Sequence, residues 1–219
     1  MSQASLVAHL VNCGVLHRNS LASRAMLRTD RAHYCKGCVY EDHPESIGFM
    51  QTISAPHMHA TALEYLTPAI AASARDKRAV RILDVGSGSG YLTAALARMA
   101  EDAGSTDTVV VGVETVGELA RRSIVNIESD DNHLLADIRI IQGDGWSGCE
   151  EWGPYDAIHV GAAADTFPAA LGQQLNEEGV MVIPLGEPGT QMYTRCMKHN
   201  GDIKCDDIEQ VMFVPLIHP

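Results

Sequence analysis

A short apolar run, Val80-Arg81-Ile82-Leu83-Asp84-Val85, ends in Gly86-Ser87-Gly88-Ser89-Gly90, and a helix-compatible stretch from Tyr91 to Ala100 follows at once. Strand, glycine turn and helix in that order constrain the fold more than any other stretch. They make a backbone cradle at the C-terminal end of a central strand, where bare N–H groups and a helix start face a ligand. The spacing is G-x-G-x-G, with Tyr91 where a dinucleotide fingerprint has its third glycine. It is not a hydrolase elbow, because neither Ser87 nor Ser89 has glycine two residues to each side. Asp84 beside the loop would repel a pyrophosphate, whereas a nucleoside carrying an amino group and a sulfonium suits it.

Downstream, apolar runs alternate with helix-compatible stretches. Val109 to Glu114 precedes a helix from about Val116 to Glu128, and Ile138 to Gln142 runs into Gly143-Asp144-Gly145. Tyr155 to Gly161 precedes a helix-like stretch from Thr166 to Leu175, and Gly179 to Leu185 reads as a further strand. Gln191 to Met197 and Ile208 to Val214 flank Asn200-Gly201 and predict a terminal antiparallel hairpin. The pattern predicts an α/β fold: a doubly wound Rossmann-like sandwich around a mostly parallel seven-stranded sheet, with that hairpin at its C-terminal end.

Upstream, residues 1–78 are expected to form an N-terminal helical extension and substrate-binding segment packed on a core of residues 79–219, together one structural domain. Leu6, Leu10 and Val11 fit one helix face, with Gly14 as a stop. Ser20 to about Arg28 predicts a second helix presenting Leu21, Ala25, Met26 and Leu27 to a core. Thr29 to Ser46 shows no period, and an unpatterned stretch of that length is usually functional or disordered. Met50 to Ile53 reads as extended. Ser54 is placed to cap a helix from Ala55 to about Ala72, with Pro56 in its first turn and Pro68 interrupting or ending it.

Lys and Arg number 16 against 28 Asp and Glu, a net charge of -12, which disfavours nucleic-acid backbones and anionic membranes as partners. No apolar run approaches the roughly 20 residues of a membrane span, and Met1 to Gly14 shows no secretion signal. The cysteines, Cys13, Cys35, Cys38, Cys149, Cys196 and Cys205, are scattered as reduced thiols in a cytoplasmic protein would be. Cys35-Lys36-Gly37-Cys38 has no second close pair to complete a zinc site. His57 and His59 on a helix point about 200 degrees apart, so no metal is expected.

Asp84, Glu114 and Asp144 stand at the ends of three successive strands. Each alone is matched by a plain alternative, a solvated strand end or an Asp-Gly turn. Together they make a nucleoside site on one sheet edge: an acid for the amino-acid or sulfonium end, one for the ribose hydroxyls and one for the base amino group.

Thr52-Ile53-Ser54-Ala55-Pro56-His57-Met58-His59-Ala60 then narrows the reading. With Leu83 to Gly90, Gly143-Asp144-Gly145, Pro154 to Ala164, Thr29 to Tyr34 and Val182 to Gly186, it resembles the protein-L-isoaspartate (D-aspartate) O-methyltransferase family of class I S-adenosylmethionine-dependent methyltransferases. The resemblance runs from about Leu6 to Leu216. It implies methyl transfer from S-adenosyl-L-methionine to the α-carboxylate of L-isoaspartyl, and more weakly D-aspartyl, residues in damaged proteins, initiating their repair. It implies cofactor contacts from Gln51, Thr52, Ile53, His59, Asp84, Gly86, Ser87, Gly88, Ser89, Gly90, Glu114, Thr115, Gly143, Asp144 and Gly145. Substrate contacts are implied for Ile47, Thr52, Ser54, Ala162, Ala163, Val214 and Leu216. Where the family often continues Val-Pro-Leu with threonine, this chain has Ile217.

A carboxylate nucleophile, of pKa about 3.5–3.9 in a model peptide, is already ionised at neutral pH and needs no general base. Alignment supplies the catalysis, up to roughly 7–11 kcal/mol. Ser54, or the helix start beside it, is the expected positioning group for one carboxylate oxygen. A monomer is the default expectation. A small-molecule methyltransferase on the same fold is the runner-up and a partner-binding domain that kept the cofactor pocket stays open, whereas Tyr91 and Asp84 disfavour a nucleotide-binding or dinucleotide oxidoreductase.

Overall fold

The computed structural model describes residues 2–218. Two helices open the chain, α1 (Gln3–Asn12) and α2 (Leu21–Arg28), each started by a serine whose hydroxyl accepts from the third residue on, Ser2 from Ser5 N and Ser20 from Ser23 N. Leu6, Leu10, Ala25 and Met26 are buried, but Leu27 is half exposed, a correction to its expected core position. Its neighbours on the helix face carry the contact instead: Ala22, Ala25 and Met26 recur at helical spacing, and Leu27 falls outside that stripe.

A small antiparallel hairpin, β1 (Glu45–Gly48) and β2 (Gln51–Ile53), leads into the long helix α3 (Pro56–Arg75). Pro68 lies inside α3 and neither ends nor interrupts it. A proline there removes its own N–H bond to the preceding turn and crowds the carbonyl of Glu64, a cost that the helix's buried face must offset. Buried Leu63, Leu66, Ala69 and Ile70 hold the helix on the core on both sides of the exposed Pro68.

The remaining elements are β3 (Val80–Val85), α4 (Tyr91–Asp102), β4 (Thr108–Glu114), α5 (Gly117–Asp131), β5 (Ile138–Gln142), β6 (Tyr155–Val160), α6 (Ala169–Gln173), β7 (Leu175–Leu185), β8 (Met192–His199) and β9 (Asp202–Gln210). The sheet has seven strands in the order β5-β4-β3-β6-β7-β8-β9, parallel up to β7 and antiparallel beyond it. This is the doubly wound arrangement expected. The order reverses at β3, so the crevice beyond the C-terminal ends of β3 and β6 is the ligand-binding position of such a sheet. One large apolar core takes side chains from α1 through β8, from Leu6 and Leu10 to Val182 and Tyr193, so the N-terminal helices and the sheet share it.

Two element boundaries differ from expectation. Helix α6 is five residues long, because Leu175 already pairs with Tyr155 and β7 begins there. Strand β9 starts six residues before the expected Ile208 and ends at Gln210, so it overlaps only the first part of the run Ile208 to Val214. Asn200 and Gly201 both have positive φ, 53° and 81°, and so close a two-residue hairpin that pairs His199 with Asp202 directly. The resulting edge strand is charged and exposed, with Asp202, Lys204, Asp206 and Asp207 along it. The β8–β9 register also opposes Cys196 to Cys205 with Cα atoms 4.0 Å apart, and the two form a disulfide. The expectation of six reduced thiols is corrected at that pair; Cys13, Cys35, Cys38 and Cys149 are free.

Candidate active site

The glycine loop leaves β3 and starts α4. Gly86, Gly88 and Gly90 all have φ between 54° and 89°, the left-handed region that a side chain resists. Gly161, at the end of β6, donates its N–H to Val85 O at 2.8 Å, which seats the β6 loop against the glycine loop.

Three spaces meet here. A cleft of about 460 Å³ is lined by Ser54, His57 and Met58 on one side and by Glu209 to Val214 on the other. A narrow cavity of about 30 Å³ lies between the glycine loop, Ile53, His59, Asp84, Tyr91 and His159. A second, of about 60 Å³, is lined by Gln51, Glu114, Thr115, Gly145, Ala162, Leu216 and Ile217. Thr52 and Gly161 line all three, and Ser54 lines the cleft and the first cavity. Ile47 lines both narrow cavities, with its Cδ1 against Gly88. Both narrow cavities are small beside the roughly 300 Å³ of a typical ligand site, and Ile47 on the β1–β2 hairpin is one of the side chains that close them.

The three strand-end acids are not equivalent. Glu114 accepts from Gly88 N at 2.8 Å and from Val116 N at 2.9 Å. Burial pushes its pKa up, and those N–H groups partly offset the rise. It lies at the wall of the second cavity, where ribose hydroxyls can be accepted. Asp84 lines the first cavity, but its two oxygens are held by Thr93 Oγ1 at 2.6 Å and His159 Nδ1 at 2.8 Å. Sequence reasoning did not pair His159 with it; the β3–β6 register places the two side by side. Asp144 lines neither cavity. It accepts from Trp146 N at 2.9 Å and bonds His218 Nδ1 at 2.8 Å. Burial alone would raise its carboxyl, but His218 and the Trp146 N–H outweigh that and hold it below 3.8. Its neighbour Gly145 reaches the cavity instead.

The other expected contacts sort in the same way. Gly90 starts α4 and packs on Ser123 and Ile127 of α5, away from the cavities. Gly143 lines none of the three spaces, whereas Val214 and Leu216 line the second cavity and Val214 also the cleft. Ala163 is buried; its backbone holds the C-terminal tail, donating to Val214 O at 2.8 Å and accepting from Leu216 N at 2.7 Å.

Ser54 is not the cap of α3, which corrects the expectation. Ala55 holds the N-cap position without a side-chain bond. Asp42, from the unpatterned segment, supplies the missing acceptor, with Oδ1 2.9 Å from His57 N and 2.9 Å from His57 Nδ1. Pro56 at the first helical position shifts the start by one residue and leaves the Ser54 hydroxyl uncommitted at the cleft wall.

The loop suits a nucleoside cofactor. Ser87 Oγ, His59 Nδ1 and Tyr91 Oη are buried around it without hydrogen-bond partners among the described residues. A doubly wound sheet, a glycine cradle at its switch point and an acid at the end of the next strand define a class I methyltransferase site. A family model described as protein-L-isoaspartate(D-aspartate) O-methyltransferase matches residues 1–219. A Caenorhabditis elegans protein-L-isoaspartate O-methyltransferase is 43% identical over 195 residues, 88% of this chain and 82% of its own. An Arabidopsis thaliana protein-L-isoaspartate O-methyltransferase 1 is 39% identical over 217 residues, 97% and 90% of the two chains. The crystal structure of a Plasmodium falciparum protein of this kind, in complex with S-adenosyl-L-homocysteine, superposes with a TM-score of 0.89 at 36% identity, covering 99% of both chains. The chain belongs to the protein-L-isoaspartate(D-aspartate) O-methyltransferase family. It is a methyltransferase, and S-adenosyl-L-methionine is its methyl donor.

Proposed function

We propose that the cleft beside Ser54 receives an isoaspartyl segment of a damaged protein and that its α-carboxylate meets the methyl donor where the three spaces join. The observation that carries this is the shared lining: Thr52 and Gly161 border the cleft and both cavities, and Ser54 borders the cleft and the cavity of the glycine loop. A group held there by Ser54 is within reach of both reactants.

The cofactor, when bound, supplies a methyl group made electrophilic by the sulfonium. Glu114 and the cavity at Gly145 would hold the adenosine, and His59, Asp84 and Ser87 the amino-acid end. The substrate carboxylate arrives ionised, so no residue has to take a proton from it. The Ser54 hydroxyl has no partner among the described residues and donates to one carboxylate oxygen, leaving the other to attack. A single donor orients the nucleophile without quenching its charge. Gly161 has no side chain to obstruct an extended backbone, and Met58 and Phe213 add apolar lining to the cleft.

The open cleft and the charge of -12 favour protein segments over nucleic acid as the partner. Among the described residues no helix is long and apolar enough to cross a membrane. A monomeric, cytoplasmic enzyme is the reading we adopt; the four free cysteines fit it, and the Cys196–Cys205 bridge is the feature that counts against it. The test is incubation with labelled S-adenosylmethionine and a matched pair of peptides differing only in an aspartyl or isoaspartyl linkage. Base-labile methyl incorporation confined to the isoaspartyl peptide is expected. Equal labelling of both, or of neither, removes the reading.

A further inference from the structure

Arg31 is fully buried, yet among the described residues no carboxylate forms an ion pair with it. Among the described residues its Nε and Nη1 have no acceptor, and Nη2 reaches His43 O at 3.4 Å. The neighbouring acids are committed elsewhere: Glu45 accepts from Cys38 N at 2.9 Å and Asp42 from His57 N at 2.9 Å. Arg98 shows how the same fold treats a buried structural arginine. It is 2% exposed, and its Nη1 donates to Asp130 Oδ2 at 2.6 Å. An uncompensated guanidinium is a costly thing to enclose, and packing alone gives no reason for one at position 31.

Its surroundings give the reason. The guanidinium lies 5.7 Å over the ring of Tyr91, and the His59 ring is 4.9 Å from that same ring. Tyr91 and His59 form the wall of the cavity beside the glycine loop. His59 Nδ1, like Arg31 Nε and Nη1, is buried without a partner among the described residues. Burial and the Arg31 charge push the His59 pKa well below 6.5, so the ring is neutral at pH 7. A neutral imidazole has one acceptor and one donor nitrogen. Arg31 and His59 both lie against Tyr91 with these nitrogens unpartnered, and a hydrogen bond from the guanidinium to Nδ1 would make Nδ1 the acceptor and leave the ring proton on Nε2.

We propose that Arg31 is a positioning residue for the cofactor: acting through His59, it presents an Nε2–H donor and a positive potential to the α-carboxylate of the methionyl group. This rests on the cofactor placement proposed above. It also explains how a chain of net charge -12 keeps an anion-accepting end in a pocket walled by Asp84 and Glu114.

The test compares two ligands by calorimetric titration. S-adenosylhomocysteine carries the carboxylate; 5′-methylthioadenosine keeps the adenosine and thioether and lacks the amino-acid end. Arg31→Met is expected to weaken S-adenosylhomocysteine about tenfold or more while moving 5′-methylthioadenosine by less than about threefold, with Arg31→Lys recovering part of the loss. Equal losses for both ligands would make Arg31 merely structural, and no loss would overturn the proposal outright. A readout independent of any variant guards against misfolding. Nitrogen-15 NMR of the wild-type complex with S-adenosylhomocysteine should show His59 protonated at Nε2; protonation at Nδ1 would refute the relay. A wild-type protein that binds neither ligand would instead bring down the cofactor placement itself.

Discussion

Gly88 and Gly90 flank Ser89 and allow binding to be separated from folding with one kind of substitution. Both lie in the left-handed region, at φ +54° and +89°, so alanine at either costs about 1–2 kcal/mol of local strain. Their surroundings differ. A Cβ on Gly90 would lie 3.0 Å from Ser123 Cβ and 3.1 Å from Ile127 Cδ1, inside the buried contact of α4 with α5. Overpacking there adds about 1–3 kcal/mol, for a total of about 2–5 kcal/mol. A Cβ on Gly88 would meet Ile47 Cδ1 at 3.2 Å, the tip of a flexible side chain, and Gly86 O only at an ordinary contact distance of 3.9 Å. Gly88→Ala should therefore cost little beyond the strain, about 1–2 kcal/mol, but its methyl group occupies the space between Gly88 and Ile47 that the cofactor needs. Urea unfolding measures the first quantity and calorimetric titration with S-adenosylhomocysteine the second. Gly88→Ala should weaken that ligand about tenfold or more, roughly 1.4 kcal/mol, and Gly90→Ala, where still folded, by less than about threefold. Equal destabilisation of the two variants, or a Gly88→Ala protein with wild-type affinity, would refute the assignment of the two glycines to different tasks.

Three further outcomes follow from the same geometry. Ser54→Ala should keep S-adenosylhomocysteine affinity within a few fold yet lower isoaspartyl methylation about tenfold or more, as expected for one lost hydrogen bond to a charged group; unchanged turnover would remove Ser54 from its role. The Glu114 pKa is raised in the folded protein above the ordinary 4.5 by burial, and its ionised form is the acceptor. Cofactor affinity should therefore be full at neutral pH and fall as pH drops through that raised value, and Glu114→Gln should start weaker and show no such fall. Titrations at a series of pH values check this, and a profile shared by wild type and variant would sink it. Asp156 is 3% exposed and accepts from Ser73 Oγ, Arg78 Nη1, Arg81 N and Asn176 Nδ2. Asp156→Ala strands those donors and should cost about 3–5 kcal/mol in urea unfolding; a loss below about 1 kcal/mol would show that the network relaxes.

What could be read from the chain was what local pattern determines. The strand, glycine loop and helix from Val80 to Ala100 were legible because an apolar run, three glycines and an amphipathic stretch adjoin in sequence. Features that depend on a distant partner were not. Asp84 looked like a free ligand group, but His159, 75 positions away, occupies one of its oxygens. Ser54 looked like a helix cap, but Asp42 does that work from across a turn with no period of its own. The stretch from Thr29 to Ser46 lacked a pattern because its order comes from single anchoring contacts, such as Tyr40 with Asp30 and Glu45 with Cys38 N, rather than from a repeating face. The terminal hairpin around Asn200-Gly201 was legible, but its second strand was placed too late, at Ile208, because Asp202 to Asp207 form a charged sheet edge with no apolar signal.

The shared lining by Thr52 and Gly161 also limits how this enzyme can be changed. A substitution at either position alters the fit of donor and acceptor together, so selection for a new substrate acts against retention of the methyl source. Met212, 88% exposed, lines the cleft and neither narrow cavity, as does Val211. Variation there can retune peptide preference while leaving the donor site untouched. A library randomised at 211 and 212 should thus yield altered peptide selectivity at constant S-adenosylhomocysteine affinity, and one randomised at 52 should show the two properties drifting together. The routes open to adaptation run along the rim of the cleft, not through its meeting point.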